Sequence, residues 1–292
     1  MRIAPAVLLL CALGALPFAD AVRAAQRVDA VCIVTEIAGK AQTQTERGVA
    51  EVALLGEFVP GARARLEAGA RMVVLYVRTG EQFALQGPSL IRFAAHAPAA
   101  LNGAEPLPLR PLRGKDGTPL RIRVEHVTQA AVVARSGGVA PIAALALSDT
   151  VSLDTPPVLR WREPEPGLRY QIVLEDDEGA TLLARSVDGD RFALPDALAL
   201  AAGAWYRWTI SARGASGVAY RSLHRFALAD AATASAVANF RPPEAAPMAE
   251  RVAYAAWLES AGLRDAAAAE WAAIERGGGQ LPPARSALAA ER

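Results

Sequence analysis

The chain has 292 residues, with 31 basic and 30 acidic side chains and a formal net charge of +1. At 52% hydrophobic residues it is too apolar and too evenly charged to be disordered throughout. It lacks the basic excess of a nucleic-acid binder, and its two cysteines cannot make the disulfide framework of a small secreted scaffold.

Alanine dilutes that apolar content. Sixty-six residues are alanine, and Lys40 and Lys115 are the two lysines. Alanine buries little surface, so the core must be sought among larger side chains.

Residues 1–24 read as a signal peptide. Arg2 gives a positive start, and Leu8, Leu9 and Leu10 centre the apolar run 3–19. Small residues follow at Ala19 and Ala21, or at Ala24, as cleavage requires. Pro5 and Pro17 interrupt the run, which is at the lower limit for crossing a bilayer. The expectation is a soluble periplasmic protein without stable membrane insertion after cleavage. Cys11 leaves with the signal. Cys32, in the apolar run 31–34, is expected to be a small buried hydrophobe.

Residues 28–135 carry short apolar runs divided by Gly and Pro. Strands are expected at 49–54, 72–77, 81–85, 90–93, 120–127 and 130–135. Pro60-Gly61, Thr79-Gly80, Gly87-Pro88 and Asp116-Gly117 mark turns. The stretch 39–41, the run 55–63, the step 66–71, the strand 72–77 and the run 79–88 follow in an order that resembles the FecR-like periplasmic domain. Gly56, Gly61, Gly69, Gly80 and Gly87 fall at its turns. The resemblance implies a small β module for envelope interactions. It does not carry over the transmembrane signalling of the iron-siderophore regulators, whose cytoplasmic segment and membrane helix have no counterpart in the sequence. Residues 106–123 hold Arg110, Arg113, Lys115, Arg121 and Arg123 against Asp116. A polyanion site is conceivable there. A solvated loop and strand face fits better, because Arg121 and Arg123 alternate with Ile122 and Val124.

Residues 136–149 are expected as a linker, and 150–229 as a second β domain. Trp161 ends an early strand, 170–174 alternates, and the acids 175–178 make a hairpin tip rather than a calcium loop. Gly214 and Gly217 bound a hairpin turn. The pattern resembles a fibronectin type III-like sandwich. It implies Trp161 in the core centre and, from Leu200, Gly203 and Tyr206, a tyrosine whose hydroxyl bonds backbone upstream. Trp205 and Trp208, three apart on a strand, point to opposite faces.

Residues 230–246 are expected as a second linker, and 247–292 as a helical hairpin and tail. The periods at 247–261 and 264–276 are helical, divided at Gly262 and stopped by Gly277, Gly278 and Gly279. Ala255, Gly262, Ala267 and Trp271 resemble a single tetratricopeptide-type hairpin. One such unit cannot form a solenoid groove. Its expected role is to cap the sandwich.

The fold class expected is therefore mainly β: two small β domains and a C-terminal α-hairpin. His96, His126 and His224 have no ligand spacing, and no phosphate loop, dinucleotide fingerprint or nucleophile elbow occurs. No catalytic, cofactor-binding or metal-binding residue is nominated, and no cofactor is expected. The expected function is a non-enzymatic envelope interaction or scaffold module whose partner is an envelope or membrane protein, such as a membrane sensor. The alternative is a protein that binds cell-wall glycan (peptidoglycan) through whichever of Trp205 and Trp208 lies outside the core.

Overall fold

A computed structural model describes residues 29–45, 48–123 and 139–277. The signal-like segment, His126, the strand expected at 130–135 and the tail after Gly277 lie outside the described residues. Among the described residues no helix is long and apolar enough to cross a membrane.

Among the described residues the first β module has ten strands: β1 (Cys32–Ala38), β2 (Ala41–Thr45), β3 (Gly48–Glu51), β4 (Glu57–Phe58), β5 (Arg63–Leu66), β6 (Arg71–Tyr76), β7 (Gln82–Gln86), β8 (Ser89–Phe93), β9 (Pro98–Gly103) and β10 (Leu107–Pro108). They form two five-stranded antiparallel sheets, ordered β10-β7-β6-β1-β4 and β3-β2-β5-β8-β9. Between them lies a core that includes Met72, Val74, Leu85, Ile91 and the stacked pair Phe58 and Phe93. Gly87 lies against the Glu67 carbonyl, where a side-chain carbon would sit 1.8 Å from that oxygen. Only glycine fits there.

The strand β6 is buried on both faces. Met72, Val74 and Tyr76 enter the core between the sheets, while Leu75 and the following Val77 join Ile33 in a second cluster on the outer face. A near-continuous apolar run is what two covered faces require.

The second module contains β11 (Val139–Ala140), β12 (Ala144–Ala146), β13 (Thr150–Ser152), β14 (Val158–Trp161), β15 (Arg169–Asp176), β16 (Thr181–Asp188), β17 (Arg191–Ala193), β18 (Trp205–Arg213) and β19 (Ala219–Leu228). One sheet is ordered β12-β14-β17, and the other runs β19-β18-β15-β16. Three strands facing four, with hairpins at β15-β16 and β18-β19, make a fibronectin type III-like sandwich. β11 and β13 both pair parallel with β19 at its outer side. Trp161, Tyr170 and Trp208 fill the core, and all three are fully buried. The Ala201 N–H donates to the Tyr206 hydroxyl at 2.7 Å, tying the corner before β18. At the β15-β16 tip Asp176 accepts the Ala180 N–H through Oδ1 at 2.8 Å, so this acid closes the hairpin.

The expected linkers hold structure. Within 136–149, β11 and β12 belong to the sandwich, and Ile142 and Leu147 enter its core. Pro141 falls between two short strands and costs no ladder bond. Within 230–246 lies a helix, α1 (Ala231–Phe240). Asp230 caps it, accepting the Thr233 N–H through Oδ1 at 2.7 Å. Its five alanines favour helix without drawing an apolar stripe.

α2 (Met248–Ser260) and α3 (Arg264–Arg276) form the expected hairpin. Arg251 and Glu270 pair across it at 2.9 Å, and Trp271 Nε1–H donates to Glu259 Oε1 at 2.8 Å. Ala255, Ala267 and Trp271 are buried, and Gly262 adopts φ 78° at the bend. The hairpin does more than cap the sandwich. Its core continues into Ile33, Leu75, Val77, Leu120 and Ile122 of the first module, and packs on Val151 and Leu153 at β13. The Val151 N–H also donates to the Gly262 carbonyl at 2.9 Å. The helices therefore share one core with the first β module and pack on the sandwich at β13.

Candidate functional site

The basic stretch 106–123 divides into a clasp and an edge. In the clasp, Lys115 Nζ donates to the Ala238 carbonyl at 2.8 Å, at the end of α1. A lysine there meets the partial negative charge of a helix C-terminus. The Asp116 N–H donates to Asn239 Oδ1 at 3.1 Å, and Asn239 Nδ2 donates to Asp116 Oδ1 at 2.9 Å. Hydrogen bonds from the Thr118 N–H and from Asn239 hold the Asp116 carboxyl below the usual carboxylate range. Lys115 is thus committed to α1 rather than to a polyanion.

In the edge, the strand expected at 120–127 is described only as far as Arg123. Residues 121–123 run beside Val77 without forming an assigned strand. The Ile122 N–H donates to the Val77 carbonyl at 2.9 Å, and the Val77 N–H to the Val31 carbonyl at 3.0 Å. Ile122 turns into the helical core, while Arg121 and Arg123 are exposed. Between this edge and the end of α2 opens a cavity of about 910 Å³. Its walls include Asp29, Arg78, Arg121, Arg123, Trp257 and Ser260. Arg78 pairs with Asp29 at 3.3 Å. Trp257 is held by Tyr254, stacked at 5.9 Å, and by Phe240 at 5.0 Å. This cleft between two elements far apart in the chain was not foreseen; the two-faced apolar run at 72–77 was its one sequence signal.

Trp205 and Trp208 separate as strand geometry requires. Trp208 is fully buried and donates through Nε1 to the Leu147 carbonyl at 2.8 Å. Trp205 is 38% exposed on the outer face of β18. The Arg225 guanidinium lies over its ring, 5.1 Å from the centroid, and Arg225 Nε donates to Asp149 Oδ1 at 2.6 Å. One ring face is thus engaged by a cation.

The described histidines stay apart. His96 is exposed near β9. His224 lies beside Trp208, with Nδ1 3.1 Å from Ser148 Oγ, and burial pushes its pKa below the ordinary imidazole range. Cys32 is fully buried, and burial drives its thiol pKa far upward. A thiol so placed is not a nucleophile. Among the described residues no group of three His, Cys, Asp or Glu side chains could hold a metal ion.

No protein-family model matches the chain, and no curated protein matches it. Among solved structures, a two-domain fibronectin type III segment from chicken tenascin aligns with 64% of this chain and 82% of its own, at 13% identity and a TM-score of 0.22.

Proposed function

We propose that the chain is an exported, non-enzymatic envelope protein, an interaction or scaffold module that serves as the periplasmic partner of a membrane sensor. The observation that carries this reading is the shared helical core. It joins the first β module to the sandwich through α2 and α3, so surfaces on both modules are presented in one fixed relation. The arginine-lined cleft opens at that junction. The turn order of the first module resembles the FecR-like periplasmic domain, and α2–α3 resembles one tetratricopeptide-type hairpin. The first resemblance points to envelope contacts, and the hairpin serves to join the modules. The signal-like residues 1–24 support export to the periplasm.

A glycan-binding reading draws on the exposed Trp205. It is the weaker one, because Arg225 already occupies a ring face that a sugar would stack on. The experiment that separates the two is a pull-down of the chain against purified peptidoglycan and against envelope membranes, with Trp205→Ala in parallel. The interaction reading expects crosslinking to an envelope membrane protein, unchanged by Trp205→Ala. Retention on pure peptidoglycan that Trp205→Ala abolishes would overturn it. Cell fractionation that leaves the chain in the cytoplasm would overturn the export.

A further inference from the structure

We propose that residues 121–123 are a strand-addition site for an extended acidic segment of a partner protein, one that alternates acidic and apolar side chains. The inference rests on the interaction reading and gives its partner a chemistry.

The backbone supplies the first reason. Ile122 donates its N–H to Val77. In extended chain, successive N–H groups point to opposite sides. Among the described residues neither the Arg121 nor the Arg123 N–H donates to a backbone carbonyl, as an extended run that turns alternate groups away from Val77 would leave them. An edge with unanswered donors is a template for one more strand.

The side chains supply the second. Arg121 and Arg123 stand two residues apart, so they leave one side of the edge at a spacing of roughly 7 Å. Neither has an ion-pair partner among the described residues, whereas Arg78 in the same cleft is taken by Asp29. Alternate carboxylates on an added strand have the same spacing and opposite charge. Arginine suits them because its fork binds a carboxylate through two N–H groups.

The far wall supplies the third. Ile122 and Trp257 are each 8% exposed and belong to the helical core. The apolar residues of the added strand alternate with its acids, and so fall on the Ile122 side and extend that core. Three carbonyls near the end of α2 are answered, which lessens its repulsion of an acid. The Leu258 and Glu259 carbonyls accept the N–H groups of Leu263 and Gly262, each at 2.9 Å. The Trp257 carbonyl accepts the Ala261 N–H and the Ser260 hydroxyl.

The test is fluorescence anisotropy with the full chain and a labelled hexapeptide alternating Glu and Val. A Lys–Val hexapeptide and vesicles of anionic phospholipid serve as comparisons. The expected result is saturable binding of the Glu–Val peptide alone, weakened at high salt. Arg121→Glu with Arg123→Glu should lower that affinity at least tenfold with an unchanged circular dichroism spectrum. If the double reversal disturbs folding, Arg121→Gln with Arg123→Gln should still lower it severalfold. The proposal is overturned if the Glu–Val peptide does not bind, if its binding ignores both double variants, or if the anionic vesicles bind in its place. Crosslinking to an envelope protein that survives the double variants would sink this inference and leave the interaction reading standing.

Discussion

Leu75 offers a direct probe of the junction. It is fully buried on the outer face of the first module, where it lies opposite Ile33 on β1. Its cover there is the helical core rather than the opposing sheet. Leu75→Ala removes three carbons from a site that solvent does not reach, and the stiff strand cannot close the gap. The expected loss is about 3 kcal/mol, from the transfer of the lost carbons plus the cavity they leave. That corresponds to a fall in Tm of roughly 6–12 °C for a chain of this size. Met72→Ala, inside the module, is the matched control. It is equally buried on the opposite face of the same strand and should cost a similar amount. Urea unfolding followed by circular dichroism measures both. If the helices did not cover this face, Leu75 would be a surface residue and its truncation would change stability by about 0.5 kcal/mol or less. A large loss for Met72→Ala beside a negligible one for Leu75→Ala would refute the reasoning.

Three further outcomes follow from particular bonds. Asp230→Ala removes the side-chain acceptor of the Thr233 N–H; it should lower the urea midpoint, and Asp230→Asn should restore most of the loss. Tyr206→Phe leaves the Ala201 N–H without its partner and should cost on the order of 1 kcal/mol in the same assay, with the strand spectrum intact. Asp116 has a folded-state pKa below its ordinary value. Its contribution is therefore present above the ordinary carboxylate pKa near 4 and is lost as pH falls through the lowered value. The difference in urea midpoint between the native chain and Asp116→Asn should be constant from pH 7 to 5 and shrink at more acid pH. A difference that grew toward acid pH would reverse the assignment.

Much of the sandwich was legible in single residues. Trp161, Tyr206 and Trp208 are large, and their spacing fixes the face each one takes, so the core and the corner could be read before the strands were known. The hairpin was legible for a similar reason: Val252, Leu258, Trp271 and Ile274 recur at helical spacing, with Gly262 to break them. α1 escaped because its alanines give propensity without period, and Val237 is its one fully covered side chain. β12 escaped because two glycines and a proline punctuate its approach. The cleft was hidden for a deeper reason. Residues 121–123 and 257–261 meet only because helices at the far end of the chain cover β1 and β6. Local patterning says that a face is apolar, not what will cover it. The continuous apolar run 72–77 has the pattern of a strand with two covered faces.

The account turns on α2, α3, β1 and β6 sharing one core. Hydrogen exchange over the whole chain tests that most directly, because amides in one cooperative unit open together. The expected result is that Met248–Ser260 and Arg71–Tyr76 exchange slowly at similar rates, and that Leu75→Ala accelerates both. Fast exchange throughout α2, while β6 stays protected and α2 is indifferent to Leu75→Ala, would contradict it.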